Sequence, residues 1–198
     1  MVPKRMGIKF FASNPEAVEL PAFVPVFQRW IQQHAVEGLL IDVADYKHVP
    51  DGPGIVLIGH EGDYAYDLSG SRPGIQYVRK TPLHDSLASS ISALYRLALS
   101  AGQKLEAEPS LNGLSFRYGE AQITLLDRLR APNIPETWDA VRAEIQGPLT
   151  ALYGDAAVEL TPVHDDPREC LTVSIRAGGD FPAAGLLERL AKLAVEAV

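Results

Sequence analysis

The chain has 198 residues, of which 46% are hydrophobic and 22% charged, and a formal net charge of −7. That length suits one large domain or two small ones. The acidity argues against nucleic acid or an anionic membrane as partner, because both need a basic face.

The single cysteine, Cys170, cannot close an internal disulfide and lies in the apolar run ECLTVSI, where it reads as a small buried hydrophobe. No apolar run approaches the ~20 residues that span a membrane. The opening MVPKRMG is too short to read as a signal peptide. A soluble, cytoplasmic protein is expected.

In chain order, the first predicted element is a strand over GIKFFAS, Gly7 to Ser13, stopped by Asn14-Pro15. Leu20, Phe23, Val24, Phe27, Trp30, Ile31 and His34 then recur at steps of three and four, which is one face of an amphipathic helix. Pro21 fits its first turn, Pro25 requires that the helix proper begin nearby, and Gly38 is expected to close it. His34 is expected to be partly buried at its end. Trp30, like Trp138 later, falls on an apolar face and reads as core.

Two strands follow, LLIDVADY and GIVLIGHE, joined by VPDGPG. DYAYDLS and GIQYVRK, joined by SGSRPG, predict two more. Leu87, Ile91, Leu94, Ala98, Ala101 and Leu105 mark a long helix with serines on its other face, and Asp85 or Ser86 caps it. Glu106 to Gly113, EAEPSLNG, reads as a linker. Beyond it the spacing predicts a hairpin, LSFRY turning at Gly119-Glu120 into AQITLLDRL. A helix after Pro135, the strands AVELTPV and CLTVSIRA, and a Leu-rich helix from about Pro182 complete the chain.

The two halves echo each other. Gly38 to Asp63 and Ala156 to Asp180 each give an apolar strand, a His with an Asp/Pro turn, a second strand and a closing Gly-Asp. The expectation is an α+β fold of two related β-α-β-β-α halves, residues 1–108 and 109–198, which pack as one unit or as two close domains. The first half carries an extra hairpin, roughly Tyr64 to Lys80. A mainly antiparallel sheet should be covered on one face by amphipathic helices.

Titratable groups concentrate between Asp42 and Asp67. His48 and Asp51 have counterparts in His164 and Asp165 or Asp166, so they read as turn formers. His60 and Glu61 have none, since the second half has Arg176 and Ala177 there. Asp42, Asp45 and Tyr46 are expected to face them across the hairpin, which gives a candidate binding site of Asp42, Asp45, Tyr46, His60, Glu61 and Asp63.

No metal or cofactor is expected. HEGD is not a helical zinc motif, and DGPG and GSRPG precede strands rather than helices. Arg176 to Gly185, RAGGDFPAAG, runs from a strand into a helix and could offer backbone N–H groups to an anion. It matches no phosphate-loop pattern and reads as a plain turn. His84, Asp85 and Ser86 are adjacent on a helix and cannot relay a proton among themselves. No catalytic residue is assigned.

The stretch IKFFASNPEAVELPAFVPVFQRWIQ, with LLIDVADYKHVPDGPGIVLIGHEGDYAYD and RPGIQYVRK, resembles a group of uncharacterised bacterial proteins, commonest among cyanobacteria and other environmental bacteria. The resemblance covers about the first half and implies no activity, cofactor or site residue. The leading expectation is a binding or protein-interaction module without catalytic activity, its partner a second copy of itself or another protein. The alternative is a small-metabolite enzyme of hydrolase or lyase type, with Glu61 or Asp45 as base beside His60.

Overall fold

Alternating apolar residues form eight strands, β1 (Met6–Ala12), β2 (Leu40–Asp45), β3 (Ile55–Gly59), β4 (Gly62–Asp67), β5 (Gly74–Arg79), β6 (Phe116–Leu125), β7 (Val158–Pro162) and β8 (Thr172–Ala177). The computed structural model describes residues 2–82 and 86–196, so His84, and Asp85 as one of the two expected caps, lie outside the described residues. The strands join in one antiparallel sheet of order β2-β3-β4-β5-β1-β6-β8-β7. Four α-helices accompany them: α1 (Phe23–Gln33), α2 (Leu87–Glu106), α3 (Pro135–Tyr153) and α4 (Ala183–Glu196). The architecture is α+β. No described helix is long and apolar enough to cross a membrane.

The sheet is continuous across both halves. β1 and β6 pair at its centre, and each is flanked by the last strand of its own meander, β5 or β8. Because side chains alternate between faces, Met6, Ile8, Phe10 and Ala12 of β1 enter one core together with Leu94, Tyr95 and Ala98 of α2 and Leu149 of α3. Gly7, Lys9 and Phe11 point to the other face, which carries no α-helix among the described residues.

An aromatic knot fixes the centre of the core. The Phe10 ring lies 5.4 Å from Tyr95 and 5.2 Å from Tyr118, both edge-on, a geometry worth about 1 kcal/mol per pair beyond burial. The Tyr153 hydroxyl donates to the Tyr118 carbonyl at 2.7 Å. Near β4, Phe23 stacks on Tyr66 at 4.1 Å.

Several local expectations are corrected. Leu20–Ala22 winds as a 3-10 turn, and α1 begins only at Phe23. Pro25 is its third residue, where the missing N–H has no intrahelical acceptor to lose. The helix stops at His34, which is left-handed (φ 49) and exposed, rather than running to Gly38. Ser86 caps α2, its hydroxyl accepting from Ser89 N–H at 3.0 Å.

The predicted linker is mostly ordered. Glu106 belongs to α2, Pro109–Leu111 is a 3-10 turn, and Leu111 is buried. Cys170 is only half-buried. Trp30 is core and Trp138 is partly buried against it.

The hairpin expected at Gly119-Glu120 is instead one ten-residue strand, β6. Phe10 pairs with Ala121 but Phe11 with Arg117, so Tyr118, Gly119 and Glu120 form a wide irregularity with no partner on β1. Turn-forming composition and a β-bulge look alike in sequence, since both need backbone that leaves the ladder.

Candidate functional site

The six residues expected to form a site fall into two groups. Asp45 pairs with Ile55 at one end of the β2–β3 ladder, and Leu40 pairs with Gly59 at the other. Asp45 and Tyr46 therefore stand five residues along β3 from His60 and Glu61, about 16 Å at ~3.3 Å per residue. Asp42, opposite Ile58, lies closer to His60, but its carboxylate accepts from the Val43 N–H at 2.8 Å.

Each remaining carboxylate has a local task. Asp45 accepts from Lys47 N–H at 3.0 Å and pairs with its ammonium at 3.1 Å. Glu61 accepts from Leu39 N–H at 3.1 Å. These backbone N–H groups hold both acids below the usual carboxylate range. Asp63 takes Gly59 N–H at 3.1 Å and the Lys80 ammonium at 2.7 Å, which clamps the β3–β4 turn. His60 and Tyr46 are exposed. The expected convergence of the six does not occur, because the ladder register separates them.

The face without α-helices offers a different centre. Lys9 sits in mid-strand on β1, only 4% exposed. A lone ammonium there is expensive unless paired, and it is paired: the carboxylate of Asp67, 3% exposed at the end of β4, accepts from it directly. The same carboxylate oxygen accepts from the Ser69 hydroxyl and from Ser69 N–H at 3.2 Å. Lys9 Nζ also donates to the Ser69 carbonyl at 2.9 Å. Burial pulls the Lys9 ammonium below the ordinary lysine value, against the opposing pull of Asp67.

Lys9 lines a trough of about 400 Å³ together with Gln76, Gln122, Thr124, Thr172 and Gly7. Gln76 and Gln122 are its two cross-strand neighbours, on β5 and β6. Neither side-chain amide has a hydrogen-bond partner among the described residues.

Three loops, from opposite ends of the sheet, reach this cavity. From one end come Asp51 of the β2–β3 turn and Ser69-Gly70 of the β4–β5 loop. From the other come His164 and Glu169 of the β7–β8 turn. Asp51, at φ 56, accepts from Ser71 N–H at 3.2 Å and so joins the first two loops. Buried Asn133 donates to the His164 and Asp166 carbonyls at 3.1 and 2.9 Å and pins the third. Asp51, read from sequence as a turn former, lies in a turn, whereas His164 lies in the irregular stretch ahead of one; both flank the trough.

No family model, curated protein or solved structure matches this chain.

The same face has a basic end. Arg72 lays its guanidinium 3.6 Å from the centre of the Phe11 ring and bonds Glu120 at 2.7 Å. Arg117 and Arg176 approach that one carboxylate at 4.0 and 3.8 Å. Gly74, which starts β5 below this loop, permits the crossing: a Cβ there would stand 2.1 Å from the Phe10 carbonyl oxygen.

Among the described residues no group of three or more His, Cys, Asp or Glu could hold a metal ion. A signal for Lys9 was nonetheless present in the sequence. It is the one charged residue in the apolar run GIKFFAS, and a lysine in a strand buried on both faces needs a partner elsewhere in the chain.

Proposed function

We propose that the protein is a soluble, cytoplasmic binding module without catalytic activity, and that it holds a small polar ligand in the trough over Lys9. One observation carries this reading: a buried ammonium flanked by two amides that lack protein partners. Glutamine amides at a cavity floor take hydrogen bonds from solvent or a ligand. Lys9 Nζ donates to Asp67 and to the Ser69 carbonyl and keeps one further N–H, which suits a ligand that brings an oxygen acceptor, with Gln76 and Gln122 as the groups that orient it.

The enzyme alternative finds less support. It asks Glu61 or Asp45 to act as base, and both are held below the ordinary carboxylate range, whereas a general base working near neutrality is tuned upward. Asp45 and His60 also stand at opposite ends of a ladder.

Amide NMR with a panel of small probes (acetate, succinate, acetamide) tests the proposal. Shifts are expected to concentrate at Gln76, Gln122 and Thr124, including the two side-chain NH₂ groups. Shifts gathered at His60 and Glu61, or none at the trough, would contradict it.

A specific observation favours a second, protein-binding surface. β2 is a sheet edge, and Ile41 on it and Leu39 just before it are 57% and 60% exposed. Unpaired edges with exposed apolar residues pair readily with another strand. Self-association through β2 should show as a dimer in sedimentation that Ile41→Lys converts to monomer. A wild-type chain that stays monomeric at every concentration would remove this reading.

A further inference from the structure

We infer that the basic end of the face without α-helices is a binding site for a phosphate dianion. It is separate from the trough and does not depend on it. Three guanidinium groups from three different segments, Arg72, Arg117 and Arg176, converge on the single carboxylate of Glu120, whose side chain is 18% exposed. Neutralising one carboxylate requires one cation. Only Arg72 hydrogen-bonds it, at 2.7 Å, and Arg72 is further fixed by its place over the Phe11 ring.

The other two arginines keep most of their donors. Arg117 gives one N–H to the Ala12 carbonyl at 3.4 Å, and Arg176 has no hydrogen bond within range among the described residues. Each guanidinium carries five donors in a planar fork suited to two phosphate oxygens. Both line a cleft of about 510 Å³ that is walled by Glu120 and by the β8–α4 turn at Gly179.

Around Glu120 three arginines face one carboxylate, while exposed Asp180 on the cleft rim and Glu159, opposite Arg176 on β7, balance the other two charges, so the anion is held by the unused guanidinium N–H donors rather than by a net positive field. The bulge in β6 builds this arrangement. By leaving the β1 ladder over three residues, β6 brings Arg117 and Glu120 together beside Arg176 on β8.

The test is titration of the full chain with inorganic phosphate and with glycerol phosphate at low ionic strength, followed through the amide signals of Gly119 and Gly179. Saturable shifts are expected with phosphate and not with chloride at equal ionic strength. Affinity should rise between pH ~6 and ~7.5 as the second phosphate proton leaves. The double variant Arg117→Gln/Arg176→Gln should bind at least about tenfold more weakly. Arg168→Gln, which removes an exposed arginine paired with Asp166 instead, should bind like wild type.

Tighter binding of the ester than of inorganic phosphate would identify a phosphorylated molecule as ligand, and equal binding would identify free phosphate. The two mutated side chains are mostly exposed, so an unchanged Tm confirms that the variants fold. Chloride shifts equal to those of phosphate, or undiminished binding in the double variant, would overturn the proposal.

Discussion

Lys9→Met is expected to destabilise the protein by about 3–5 kcal/mol, measured by urea unfolding, because it strands the Asp67 carboxylate in a buried site. Asp67 keeps its two Ser69 donors, so the loss should fall toward the lower end of that range. Lys9→Met/Asp67→Asn should recover most of it. The amide oxygen introduced by the second substitution would still accept from Ser69, and no uncompensated charge would remain. A coupling energy of about 2 kcal/mol or more between the two positions is the expected result. Additive losses would mean that Lys9 and Asp67 do not act as a pair.

Alkaline pH should unfold the protein in one cooperative step. Tyr64, Tyr66, Tyr77, Tyr95, Tyr118 and Tyr153 are held above the ordinary phenol value by burial. Tyr66 and Tyr153 are pushed up to about 12. A phenol raised in the folded state contributes stability that is complete below pH 10, where the unfolded chain is also protonated. That contribution is lost as pH climbs from 10 through 12. A shift of two pH units amounts to about 3 kcal/mol, so Tyr66 and Tyr153 alone remove about 5 kcal/mol by pH 12, which is comparable to the whole stability of an ordinary domain.

Phenolate absorbance and far-UV circular dichroism should therefore change together above pH 10. Stepwise ionisation near pH 10 in a chain that keeps its secondary structure would contradict the burial described for these rings.

The local elements were readable in the sequence because their causes are local. The four-step stripe of Leu87, Ile91, Leu94 and Ala98 marks α2, and the alternation in GIQYVRK marks β5. What brings β1 against both β5 and β6 is not local. Those pairings join residues roughly 70 and 110 positions apart, through side chains that become complementary only once the sheet exists. The β6 bulge was hidden for a similar reason, since Gly119-Glu120 carries the composition of a turn and only the partner strand shows that the chain continues.

The candidate site was obscured by where charge collects in the sequence. Asp42 to Asp67 is the densest cluster of titratable groups, yet β2 and β3 spread most of it along an edge, where backbone N–H groups and lysines use it up. The one member of that stretch that reaches a buried charge is Asp67, its last residue. Its partner Lys9 comes from an apolar strand 58 residues away. Isolated polar residues in apolar strands were the stronger signal here, because burial makes their pairing compulsory.

The most direct test of the trough as the binding surface is a succinate titration of wild-type protein beside the folded Lys9→Met/Asp67→Asn variant, read at the Gln76 and Gln122 side-chain amides. Saturable shifts in wild type that weaken by at least about tenfold in the variant are expected. Equal binding by the two proteins would contradict a site organised by Lys9.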